Sequence, residues 1–333
     1  MAITLRDVAE RAGVSRSAVS RAFTDGASVS TKMRSKVERA ARELGYHPNA
    51  LASSLTTGRT KLIGLISNNF HNPIFLEVFD LFTRGLQDRG LRPLLVNLSD
   101  EIDPEKSVRM VQQYSVDGVI VASSTLSPTF ARAFKEAGIP VVHSFGRHTT
   151  SPQVHVVGID NVESGRIAAQ ELVACGYTDI AFLGGPETAT STQDRYAGFT
   201  NEVAKHTGVT MRYSFASAYS FDAGRDAMES LMDGPTAQAY FCGDDVLTIG
   251  ALSALKSAGK RVPEDVGLIG LNDMEMARWQ NIDISTIHQP IAQIVRSSIE
   301  LVVSMLDDPE RYPEARLFPV RVVRRGTLPK PIG

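Results

Sequence analysis

The sequence predicts an α/β protein carrying a small all-α head, and three observations predict it. Between Thr4 and Gly45 apolar residues recur at helical spacing, interrupted by a glycine turn. From Leu62 onward short apolar runs alternate with longer amphipathic stretches, the signature of a parallel sheet covered by helices on both faces. Charge divides at the same place. Residues 1–60 hold ten Lys and Arg against five acids, a net of +5, whereas the whole chain is −2, so the remainder sums to −7. A basic head suits a polyanionic partner, and an acidic body suits solubility.

Thr4-Leu5-Arg6-Asp7 has the form of a capping box: a hydroxyl for the free amides of a first turn and an acid three residues later. A helix should follow to about Ala12, with Leu5, Val8, Ala9 and Ala12 as its buried stripe. Gly13 supplies a sharp turn and Val14 plugs the corner. Ser15 caps a second, short helix that turns Ala18, Val19, Ala22 and Phe23 inward and Arg16, Ser17, Ser20 and Arg21 outward. Arginine can bond a guanine bidentately and serine can approach either kind of base, so the outward face has base-reading chemistry. A third helix, from near Ser30-Thr31 to Leu44-Gly45, buries Met33, Val37, Ala40, Ala41 and Leu44. Three short helices with a tight glycine turn make a helix-turn-helix domain, residues 1–46.

Residues 47–60 read as a hinge helix or linker. Pro48 breaks the preceding helix and Asn49 offers a cap, yet about seven residues cannot hold a helix alone, because nucleation is costly. Such a segment is a natural switch, helical when a partner packs on it. The body, residues 61–333, opens with the strand Leu62 to Ser67 and a helix from about Ile74 to Gly90. Strands at 94–97, 118–122 and 140–142 follow, with helices from Pro104 to Tyr114 and from Pro128 to Gly138 between them. The alternation restarts at Val154 to Ile159 and continues through strands at 180–183, 211–215, 239–242 and 266–270. A helix from Ile291 to Leu306 and one last strand, Leu317 to Val323, close the chain. Two tandem doubly wound parallel-sheet subdomains are implied, with a ligand cleft beyond the carboxyl ends of their strands.

Several function classes are excluded. The longest apolar runs fall far short of the ~20 residues that span a bilayer. The N-terminus enters a capped helix rather than a signal region, so a cytoplasmic location is expected, with no membrane partner. Cys175 and Cys242 lack metal-ligand spacing, and the seven histidines show neither HxxH nor HExxH, so no metal is expected. Gly184-Gly185-Pro186 is neither a P-loop nor a GxGxxG pattern, and no Ser-His-Asp or paired-carboxylate arrangement stands out. No cofactor and no enzymatic activity are expected.

Thr4 to Ala9, Ala12 to Ser15, Val19-Ser20-Arg21, Val29-Ser30, Leu44-Gly45-Tyr46 and Pro48-Asn49 together resemble the head of a lactose-repressor (LacI) family transcription factor. The resemblance continues through the body in Asn72-Pro73-Ile74-Phe75, Asp160-Asn161 with Gly165, Arg195 to Phe199, Gly243-Asp244-Asp245, Val262 to Val266 and Gly270 to Asp273, which match the periplasmic-binding-protein-like fold that this family uses for sensing. It implies major-groove reading by Arg16, Ser17 and Arg21, with Thr4, Ser15 and Ser20 also on DNA. In the hinge it implies contacts from Asn49 and Ala52, and Leu55 as the apolar wedge that kinks a central base step. It implies an effector pocket of Phe75, Phe145, Ser191, Arg195, Tyr219, Asp244 and Asn272, the aromatic faces stacking on a ring and the polar groups holding its substituents. Subdomain boundaries follow: about 61–158 with 289–317, and about 159–288 with 318–333. Three departures stand out. Phe23-Thr24 replaces the commoner Leu-Asn, Ser53 stands where arginine is frequent, and Asn272 stands where an acid is commoner. The expectation is a dimeric repressor on a palindromic double-stranded operator, governed by a small effector, a sugar or sugar derivative in preference to a purine. A solute-binding receptor, which shares the body's fold, is the alternative, and the basic head counts against it.

Overall fold

The computed structural model describes residues 3–24, 27–47, 58–98 and 103–331. The chain divides into two compact units, residues 1–61 and 62–333. The hinge residues Asn49, Ala52 and Leu55 lie outside the described residues.

In the first unit α1 (Leu5–Ala12), α2 (Arg16–Ala22) and α3 (Thr31–Leu44) enclose a core of Val8, Ala9, Ala12, Val19, Ala22, Val37, Ala40 and Ala41. Small alanines let three short helices approach closely, while Phe23 and Tyr46 close the open end, their ring centroids 5.9 Å apart. Gly13 takes φ +58, the left-handed conformation that glycine adopts without a Cβ penalty, and its amide bonds back to α1.

The second unit holds two six-stranded sheets. The first is ordered β11-β5-β4-β3-β1-β2, built from β1 (Leu62–Ser67), β2 (Arg92–Asn97), β3 (Gly118–Ala122), β4 (Val141–Ser144), β5 (His155–Ile159) and β11 (Ala315–Phe318), and every pair in it is parallel. The second is ordered β12-β10-β9-β8-β6-β7, built from β6 (Asp179–Gly184), β7 (Thr210–Phe215), β8 (Ala239–Cys242), β9 (Gly267–Asn272), β10 (Ser285–His288) and β12 (Arg321–Val323). Only β12 runs antiparallel, against β10. The central strands β3, β4, β5 and β8 are buried at every residue, as covering helices on both faces require. Those helices are α4 (Ile74–Gln87), α5 (Pro104–Gln113), α6 (Pro128–Glu136) and α11 (Ile291–Asp307) around the first sheet. Around the second lie α7 (Asn161–Ala174), α8 (Thr190–Val203), α9 (Phe221–Met232) and α10 (Asp245–Ser257).

The chain passes between the sheets after β5, between β10 and α11, and between β11 and β12. Two expectations need correction. The single last strand is two strands, because Pro319, which lacks an amide to donate, sits at the corner where the chain changes sheets. The strand β10 was not foreseen: Ser285-Thr286-Ile287-His288 is too short and too polar to give an apolar run. Among the described residues no helix is long and apolar enough to cross a membrane.

Candidate functional site

The head presents a polar face on α2. Arg16, Ser17 and Arg21 are exposed, Ser20 is half-buried, and Ser15 caps the helix by accepting the Ala18 amide at 3.2 Å. The Ser15 and Ser17 hydroxyls lie 3.0 Å apart, and Arg21 Nε donates to the Ser17 carbonyl at 3.4 Å, so that guanidinium lies along its own helix. Arg16 makes no ion pair or hydrogen bond among the described residues and is free for an external acceptor. Thr4 is exposed, but both its amide and its hydroxyl donate to Asp7 Oδ2 at 2.7 Å, and these bonds hold the Asp7 carboxyl below its ordinary value. Thr4 therefore offers an external partner an acceptor oxygen in place of its engaged proton.

The body's cleft lies between the two sheets. Its cavity is lined by Phe75 and Ile74 of α4, by Asn69, Asn72, Ser124 and Phe145 beyond the strands of the first sheet, and by Asn161, Arg195, Asp244, Asn272 and Gln289. Five of the seven foreseen pocket residues thus meet there. Ser191 and Tyr219 do not line it. They are buried behind the wall, where the Tyr219 hydroxyl lies 3.3 Å from Ser191 Oγ and 2.7 Å from Thr192 Oγ1. Asn69, Asn72, Asn161, Ser124 and Gln289 were missed as lining residues. Only Asn72 and Asn161 carried a signal, through their motifs, and the others arrive through topology.

Asp244 is the hub. It ends the β8 turn and caps α10, Oδ1 accepting the Val246 amide at 2.9 Å. Its Oδ2 accepts Asn72 Nδ2 from the first half and Asn272 Nδ2 from the second, both at 2.9 Å. Asn272 in turn accepts from Gln289 on the crossover to α11. Burial raises the Asp244 carboxyl, opposed by the Val246 amide, the nearby Arg195 charge and the two asparagines. Asp245 beside it is pushed up to about 7 by burial, although Thr286 Oγ1 and the Met274 amide both donate to it.

Arg195 is 4 % exposed and donates from Nε to Asn161 Oδ1 at 2.8 Å and from Nη1 to the Gly243 carbonyl. Its helix is seated by glycine. A Cβ on Gly198 would stand 1.9 Å from the Val162 carbonyl oxygen, and one on Gly165 2.0 Å from that of Arg195, so α7 and α8 touch backbone to backbone. Two lining residues hold strained backbones, Phe145 at φ +66 and Asn272 at φ +126, a region that non-glycine residues rarely adopt and one that concentrates at functional sites. The free volume is about 30 Å³. That accommodates one or two waters, less than a ring-sized ligand fills.

A basic helix-turn-helix head attached to a body with a polar cleft between doubly wound sheets defines a DNA-binding transcription regulator with a ligand-binding body. Residues 4–49 match the model of bacterial regulatory proteins of the lacI family, and residues 169–328 match a periplasmic binding protein-like domain. The HTH-type transcriptional regulator CelR of Thermobifida fusca is 32% identical over 91% of this chain and 92% of its own. The ribose operon repressor of Escherichia coli (strain K12) is 30% identical, covering 97% and 99%. Among solved structures, the lac repressor dimer bound to operator and the anti-inducer ONPF superposes with a TM-score of 0.86 at 25% identity, covering 98% of this chain and 99% of that one. The chain belongs to the LacI family of transcriptional regulators.

Proposed function

We propose that this protein is a cytoplasmic repressor that binds a palindromic operator as a homodimer and releases or grips it according to a sugar or sugar derivative held in the cleft. The observation that carries the reading is the pairing of a free Arg16 on the outward face of α2 with a cavity lined by polar groups together with Phe75 and Phe145. Thr4, Ser15, Arg16, Ser17, Ser20 and Arg21 meet the DNA, with Arg16 and Arg21 as the base and phosphate readers. Asn49, Ala52 and Leu55 complete the contact through the hinge. The effector stacks on Phe75 and Phe145, while Arg195, Asp244 and Asn272 take its hydroxyls. Its arrival replaces amide donors on Asp244, one of which comes from the opposite half of the body. Ser191 and Tyr219 support this wall from behind. The names of the ribose operon repressor relative and of a solved CelR–cellobiose complex favour a sugar.

Operator selection from random duplex DNA tests the reading, with Arg16→Ala and Leu55→Ala alongside. A palindrome should emerge whose half-site preference relaxes with Arg16→Ala and whose affinity falls with Leu55→Ala. Calorimetry against pentoses, hexoses, disaccharides and purines then identifies the effector. Failure to enrich any sequence, with or without those ligands, sinks the reading.

A further inference from the structure

Apart from Asn72 on Asp244, two loop sites of the other half, Ser124 and Arg147, bond the first turns of α8. The Thr190 hydroxyl and the Ser191 amide both donate to the Ser124 carbonyl, at 3.1 and 3.2 Å. The second site makes a charge pair. Arg147, just beyond β4, donates from Nε to Asp194 Oδ2 at 2.8 Å, and its Nη2 lies 2.7 Å from Asp194 Oδ1, a bidentate fork. The same Nη2 reaches the Thr190 carbonyl at 2.9 Å and Gln193 Oε1 at 3.1 Å. The side chains are 29% and 21% exposed, so solvent screens the pair only in part. Fork geometry on a planar guanidinium is the strongest arrangement an arginine makes with a carboxylate, and it tolerates little displacement. Any movement that parts the halves at this point must break it. Asp194 is also the immediate neighbour of Arg195, and Arg147 follows the strained Phe145 by two residues, so both ends of the pair are rooted in the cavity wall.

We infer that Arg147 and Asp194 form a latch that sets the fraction of molecules with a closed cleft, independently of any ligand. The two are positioning residues: neither lines the cavity, and their effect on an effector passes through closure. The inference concerns closure of the cleft that the proposed function reads as the effector site, and its test needs neither effector nor operator, so the two stand or fall separately.

The test is a pulsed electron-electron spin-resonance distance measurement on the ligand-free full chain, with labels on the exposed positions Thr129→Cys in α6 and Asp226→Cys in α9. Labelled chain is diluted with an excess of unlabelled chain so that only intrachain distances are read. The native Cys175 and Cys242 are buried and burial pushes their thiols up to about 11 and about 12, so the introduced thiols take the label. Arg147→Ala should raise the open-to-closed ratio about tenfold, the effect of one partly exposed charge-assisted pair. The near-isosteric Asp194→Asn should move it the same way, which guards against a folding defect in the first variant. The charge swap Arg147→Asp with Asp194→Arg should return the distribution toward wild type. An unchanged distribution in both single variants overturns the latch. So does a shift that the swap leaves uncorrected, since that would assign the effect to local packing.

Discussion

Two arginines of this chain teach opposite lessons. Arg16 stands on the surface of a seven-residue helix and makes no ion pair or hydrogen bond among the described residues. Arg195 is buried, and both donors described above are committed to groups of its own protein, Asn161 and the Gly243 carbonyl. The first leaves its charge for a partner outside. The second has invested its charge in the fold, and a ligand has to compete for it. A surface reader can therefore change without structural cost, whereas a cavity residue couples recognition to stability.

The sharpest way to break that contrast is at the seat of Arg195. Gly198→Ala drives a methyl into the Val162 carbonyl, and neither backbone can yield without separating α7 from α8. A loss of about 3 kcal/mol or more in urea unfolding is expected, with the head's own transition unchanged. Arg195→Ala leaves Asn161 and the Gly243 carbonyl without their donor and removes a positive charge that opposes the rise of the Asp244 carboxyl, a cost of about 3 kcal/mol by the same measurement. Asp245 gives a pH signature. Its carboxyl is raised in the fold to about 7 from an ordinary 3.8, so the folded state holds a proton that the unfolded state has released. Stability from this group is complete below the ordinary value and is lost as pH rises from about 4 to about 7, with a slope on the order of 1 kcal/mol per pH unit. Asp245→Asn should flatten that slope in denaturation curves taken across the window. Arg16→Ala should change stability by less than about 0.5 kcal/mol while weakening its preferred operator by about 1–3 kcal/mol. A large stability loss there would erase the distinction between the two arginines.

The same contrast explains what was legible in the chain. The head is local: Thr4, Asp7, Gly13, Ser15, Ser30 and Gly45 mark its helix ends within a few residues of the bonds they make, and all three helices lie where the spacing puts them. The outward face of α2 follows from periodicity alone. In the body most of the helix and strand order was readable because the central parallel strands are apolar runs, β10 being the exception, but the partners within the cleft were not. Ser124, Gln289, Arg147 and Asp194 come together across more than one chain reversal, and no spacing rule links them. Ser191 and Tyr219 illustrate the converse. Family position placed them at the pocket, while the rotamers of this chain turn their hydroxyls to each other. The strained Phe145 was invisible as well, since left-handed backbone at a phenylalanine has no compositional cue.

The three passages of the chain between the sheets carry a consequence for the order in which the protein comes into being. The head needs only residues 5–44, so it is complete almost as soon as synthesis begins. The first sheet lacks its covering helix α11 and its edge strand β11 until residues 291–318 have emerged, after five strands of the second sheet have already been made. A nascent chain therefore displays a finished DNA-reading domain long before the part that governs it can close, and a truncation between residues 45 and 318 leaves that head without a complete first sheet.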